Sequence, residues 1–125
     1  MRRGQALVEF ALVFPVLCFA FVGMGEAAFL FSAQHGYQSE ADVLAQWAAD
    51  HPADVISADQ AWSGVVASES TRTGCDGTPA VTWPDGTQIA GSRVALALTC
   101  HYQPHITSNL WTGLPVGVAA EAVVQ

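Results

Sequence analysis

Hydrophobic positions run almost without interruption from Ala6 to Phe31, and two acids, Glu9 and Glu26, are the only charges in that stretch. The sixteen residues between them span roughly 24 Å as a helix rising about 1.5 Å per residue. The whole run reaches about 39 Å, more than the ~30 Å hydrocarbon core of a bilayer requires. The pattern predicts a membrane-spanning helix with one acid near each interface. A carboxylate at the bilayer centre would cost on the order of 2.5–3.5 kcal/mol. Pro15 removes one backbone donor inside the run, so a kink or loosened turn is expected near Ala11, which transmembrane helices tolerate. Gly23-x-x-x-Ala27 sets two small residues about one turn apart, a spacing that permits close helix packing.

The helical pattern continues beyond the apolar run. Ala33, Tyr37, Ala41, Leu44 and Ala48 recur every three or four residues, while Ser32, Gln34, Gln38, Glu40 and Asp42 supply a polar side. Gly36 is a candidate bend, and Pro52 disfavours helical geometry at His51, so the helix should end near Asp50. A second helix follows, with Ser57 and Gln60 spaced as a capping box or with a start as early as Ala53. Val55, Ala58, Trp62, Val65 and Val66 form its apolar face, and Thr73-Gly74 ends it. The period then changes to two. Thr78–Trp83 reads as a strand, Pro84-Asp85-Gly86 as a turn and Thr87–Ile89 as a return strand. The clearest strand alternates Val94, Leu96, Leu98, Cys100 and Tyr102 with Arg93, Ala95, Ala97, Thr99 and His101, and Pro104 closes it. Residues 106–115 read as a loop anchored by Leu110 and Trp111, and residues 116–124 as a terminal strand. The expected fold is α+β: a long N-terminal transmembrane and stalk helix, a second shorter helix, and a small antiparallel sheet of three or four strands at the C-terminal end.

Composition and charge narrow the partners. Hydrophobic residues make up 51% of the chain and charged ones 12%, which suits a membrane segment followed by an Ala/Val-rich remainder. Four arginines are the only strong bases, and Arg2 and Arg3 lie ahead of the apolar run. Basic flanks stay cytoplasmic, so the N-terminus is expected inside and the rest outside. The exterior then holds only Arg72 and Arg93 against a net charge of −7, which leaves no phosphate-binding patch and argues against nucleic acid as a partner. Cys75 and Cys100 fall in the part placed outside, where disulfides persist. Joining them closes a loop of about 26 residues, worth roughly 3–4 kcal/mol in the chain-entropy model; the alternative is two free buried thiols. Cys18, within the apolar run, reads as a small apolar residue.

Gly4-Gln5-Ala6-Leu7-Val8-Glu9-Phe10 resembles the processing site of type IV pilin-like proteins. The longer segment from Arg3 to Pro15, with Gly25-Glu26-Ala27 and the Ala-rich continuation, is similar to the TadE-like family of pseudopilins (minor pilins) of the Flp, or tight-adherence, pilus system. The likeness covers about residues 3–50. It departs at Ala27, where the family often has an aromatic residue after the acid. The resemblance implies a prepilin peptidase cutting between Gly4 and Gln5, other pilins and pseudopilins as neighbours, and an assembly platform in the membrane. It divides the chain into a leader (1–4), a transmembrane and stalk helix (5–50) and an extracytoplasmic α+β domain (51–125). Glu9 becomes the fifth mature residue and sets axial register, with Phe10 and the apolar run packing on other pilins. A physical reason for Glu9 stands beside this one: cleavage would give Gln5 a free ammonium in a low-dielectric region, which a neighbouring carboxylate can pair. Otherwise Glu9 simply reaches the cytoplasmic headgroups.

Catalytic and metal chemistry find no matching pattern. His101 and His105 with Cys75 or Cys100 suggest zinc only superficially, because Pro104 breaks the ligand spacing. Ser, His and Asp occur without a nucleophile motif. Asp50, Asp54 and Asp59 read as solvated surface. No cofactor is expected, and the chain is read as a non-enzyme. Three readings remain in order: a peptidase-cleaved pseudopilin in the inner membrane that enters a surface pilus or its initiation or cap complex; an uncleaved single-pass scaffold of a secretion or envelope machine; and a signal-cleaved secreted domain. The last fits least, because the apolar pattern persists past Gly25 and exceeds the about 7–15 residues of a secretory signal core.

Overall fold

A computed structural model describes residues 2–125, with side chains from Gly4 onward. The expectation that Met1, Arg2 and Arg3 mark a cytoplasmic flank falls on a residue and side chains outside that range.

Helix α1, Arg2–Asp50, is one continuous element. Forty-nine residues give a rod of about 73 Å. It passes through Pro15 and Gly36 without interruption. The rod has two regimes. Every residue from Gly4 to Met24 is exposed, and Leu7, Phe10, Leu12, Phe14, Val16, Phe19 and Phe21 point outward around the whole circumference. An apolar helix exposed on all sides requires an apolar surrounding. An 18-residue window of mean hydropathy 2.3 makes this helix compatible with a single-pass membrane protein. From Glu26 onward one stripe is covered: Glu26, Tyr37, Glu40, Ala41, Leu44, Ala45, Ala48 and Ala49 are buried.

A three-stranded antiparallel sheet covers that stripe, in the order β1 (Ala80–Thr82), β2 (Arg93–Tyr102), β3 (Leu114–Val123). β2 and β3 pair along their full length, from Arg93 opposite Val123 to Tyr102 opposite Leu114. The inward face of β2 is the alternating set seen in the sequence, Val94, Leu96, Leu98, Cys100 and Tyr102, all buried. β3 adds Val116, Val118 and Ala120. Alanines on α1 face the large residues of β2, so the backbones approach closely and the core remains one layer thick. The short α2 (Pro52–Ser57) and the longer α3 (Gln60–Thr73) flank the stalk, where Trp62 packs on Trp47 with ring centroids 5.5 Å apart.

Five local expectations are corrected. The Ser57–Gln60 capping box does not form. Ala58 takes a left-handed conformation (φ 51°) that ends α2, and Asp59 caps α3 by accepting from the Gln60 amide at 2.6 Å. Asp59 is therefore a cap rather than plain surface. Residues 87–89 form no strand, because β1 pairs directly with β2 (Ala80 opposite Ala97). The intervening loop is tied instead by Asp85, which accepts from the Arg93 amide at 2.9 Å, and by Gly91, which donates to Val124 at 2.9 Å. Leu110 is no anchor: it is 81% exposed, and only Trp111 of that pair packs against the core. Glu40 leaves the polar side and is buried.

Cys75 and Cys100 form the disulfide, joining the segment just after α3 to the C-terminal part of the core strand across a separation of 25 residues. In so thin a core the cross-link is a large share of stability. Replacing both cysteines by serine should lower unfolding free energy by about 3–4 kcal/mol in chemical denaturation, and a loss under about 1 kcal/mol would show that the sheet holds without it.

Candidate functional site

Two polar places bound the apolar part of α1, and about 26 Å of helix separates them. The first is the N-terminal turn. Gly4 and Gln5 lie in the opening of α1, where amides have no intrahelical partner, so the peptide bond between them sits in the least secured turn. A side chain on Gly4 would meet nothing within 4 Å. One turn on, the Gln5 side-chain amide donates to Glu9 at 3.4 Å. Glu9 is exposed, and Phe10 is exposed with its ring 5.5 Å from that of Phe14. Pro15, Gly23 and Ala27 are also exposed, and a Cβ on Gly23 would meet nothing within 4 Å. The residues that the sequence offers as candidates for processing, register and helix packing are thus exposed, except Glu26, a candidate for packing that the structure buries.

The second place is Glu26, where the structure goes well beyond the sequence reading. Its carboxylate is buried beneath the loop that follows β2 and accepts five hydrogen bonds. The donors are the Tyr102 hydroxyl, the amides of His105 (3.0 Å), Ile106 (2.8 Å) and Thr107 (3.1 Å), and the Thr107 hydroxyl (3.2 Å). Three successive amides converging on an anion form a backbone nest, here filled by the chain's own side chain. The Thr107 hydroxyl in turn accepts from the Trp111 indole, and the His105 ring stacks on Phe29 at 4.9 Å. Gly113 closes the loop at φ 99°, pressed against the Tyr102 carbonyl where no Cβ fits. Burial and the bond to Glu26 push the Tyr102 hydroxyl up to about 12, so it remains a donor throughout the physiological range.

A sequence signal for Glu26 existed. The covered stripe Ala33, Tyr37, Ala41, Leu44, Ala48 extends backward by three and then four residues to Leu30 and Glu26. Glu40 follows the same logic, three residues after Tyr37 and four before Leu44. One of its oxygens accepts from the Thr73 hydroxyl, and among the described residues the other has no partner. Burial is the main cause that raises its pKa above the ordinary 4.5, with the nearby Glu69 charge adding to it. The zinc candidates are engaged otherwise. Cys75 and Cys100 are joined to each other, the His101 ring contacts Asp76 at 3.2 Å, and His105 is stacked.

Two outcomes follow. Glu26→Gln replaces an acceptor oxygen by an amide that faces donors, so residues 106–113 should become the preferred site of limited proteolysis while the disulfide-linked sheet stays intact. An unchanged cleavage pattern would deny the clamp. For Glu40, the folded state holds the proton more tightly than the unfolded chain, so its contribution falls as pH rises from 4.5 through the raised folded value. Glu40→Gln should remove that decline in a series of melting temperatures against pH; a decline of equal slope in the variant would place its origin elsewhere.

Residues 4–43 match the family model described as TadE-like protein. No curated protein and no solved structure matches the chain. The matched residues include the Gly4–Gln5 bond, Glu9, Pro15 and Glu26. Over its N-terminal third the chain is therefore similar to the TadE-like family.

Proposed function

We propose that this chain is a pseudopilin, or minor pilin, of a Flp (tight-adherence) pilus system, made as a precursor, cut between Gly4 and Gln5 by a prepilin peptidase, and used in assembly, initiation or capping of the pilus. The observation that carries the reading is the TadE-like match, whose residues lie on one helix, exposed and apolar from Gly4 to Met24, with an acid five residues after the glycine. In this account Gly4 admits the peptidase to the backbone, because nothing surrounds its α-carbon. Cleavage turns Gln5 into the first residue and gives it an ammonium group. Glu9, one turn away and open to neighbours, pairs with the ammonium of an adjacent subunit and so fixes how far each subunit enters the bundle. Phe10 and the exposed run to Met24 pack on other pilins or stand in lipid. The chain sits in the inner membrane with its N-terminus inside, and the sheet-bearing end projects outward as a structural surface rather than a catalyst. The assembly platform and companion pilins are its partners.

Intact mass and N-terminal sequencing of the protein from native membranes, with and without the peptidase, test this directly. The expected mature chain begins at Gln5 only when the peptidase is present, and Gly4→Leu leaves the precursor uncut. A chain beginning at Met1 in both cases would favour an uncleaved scaffold. A chain beginning near residues 24–30 would favour a secreted domain. Either result would sink the pseudopilin reading.

A further inference from the structure

The loop after β2 does more than cover Glu26, because it continues past that residue toward the apolar end of the stalk. Thr107 and Leu110 form one wall of a groove of about 520 Å³, whose other wall is Phe14, Pro15, Cys18, Phe19, Val22 and Gly23 of α1. Those helix residues belong to the stretch from Gly4 to Met24 that is exposed on all sides. That stretch is about 31 Å long as a helix, close to the ~30 Å of a hydrocarbon core. If the stretch is the span, Leu110 lies below the level of Met24, within the membrane rather than above it.

The chemistry of the loop agrees with that depth. From Ile106 to Ala120 the chain carries no charged residue. Ile106 and Leu110 are exposed, and the indole N–H of Trp111, whose ring is half-buried against the core, is already satisfied by Thr107. The polar backbone of residues 105–107 is paired to Glu26, so the loop can enter a low-dielectric layer without orphaned amides at that point.

We propose that the 106–111 loop is a second membrane contact of this protein, with Leu110 inserted among the acyl chains of the leaflet on the sheet side and lipid filling the groove against Phe19 and Val22. The proposal rests on the reading of α1 as a membrane span. Lipid is favoured over a protein occupant because the groove is continuous with the apolar circumference of the span and its walls offer no charge.

The test uses the full chain in phosphatidylcholine vesicles, in a Cys18→Ser background that keeps the disulfide. An environment-sensitive fluorophore is attached singly at Leu110→Cys, at Phe14→Cys and at Thr87→Cys. Leu110 and Phe14 are exposed, so neither label disturbs the core, and Thr87 is an exposed position in the loop between β1 and β2. With lipids brominated on the acyl chains, quenching at 110 and at 14 should each exceed that at 87 several-fold. Quenching at 14 but not at 110 would keep the span and overturn the loop contact. Absence of quenching at both would overturn the span and the loop contact together. A pyrene at 110 whose excimer emission grows with the protein-to-lipid ratio, without bromolipid quenching, would put a second copy of the chain in the groove and overturn the proposal.

Discussion

A carboxylate at the edge of an apolar layer must be wrapped in donors or stay in water, and Glu26 is wrapped. It is the first buried residue along α1, directly above the stretch exposed on every side. The loop that wraps it comes from the far end of the chain, so this one interaction fixes where the sheet sits along a 49-residue rod. Without it, a stripe of alanines against an alternating strand would offer little to choose between one axial position and another, since small apolar residues pack in several registers. The polar pin supplies the specificity that the apolar stripe lacks, the role best attested for buried polar groups.

The remaining architecture follows from that placement. With the β2 end of the sheet held at Glu26, Leu44 and Ala48 meet the centre and far end of the sheet, and β2 presents Leu96 and Val94 there. The disulfide holds Cys100 beside Cys75, which brings the end of α3 under the same strand. Thr73, at that end, then reaches Glu40 on the stalk. Sheet, flanking helices and stalk are thus joined at three levels: a carboxylate wrapped by a loop, an apolar seam, and a covalent bond beside a second buried acid. From Gly4 to Met24 the rod is exposed, Gln5, Glu9 and Phe10 included.

Much of this was legible in the sequence because it rests on periodicity. The stalk, the alternating face of β2, the cysteine pair and the segment that matches the TadE-like family model all follow from spacing or from local motifs. What escaped depended on contacts distant in the chain. The exposed Leu110 looked like an anchor because leucine usually packs, and nothing local says that its loop points toward an apolar rod. Glu26 and Glu40 read as interfacial and polar-side acids by their charge, although their phase places both on the buried stripe. Residues 87–89 looked like a strand through their β-branched content, but β1 already had its partner in β2.

Hydrogen exchange of the unmodified full chain in lipid, read at single amides, is the most direct test of the central claim that Glu26 holds the loop to the stalk. The account predicts that the amides of His105, Ile106 and Thr107, which lie outside any strand, are protected to the same degree as Leu98 in the core of β2. Exchange at those three positions as fast as at the exposed residues 87–90, with β2 still protected, would contradict it.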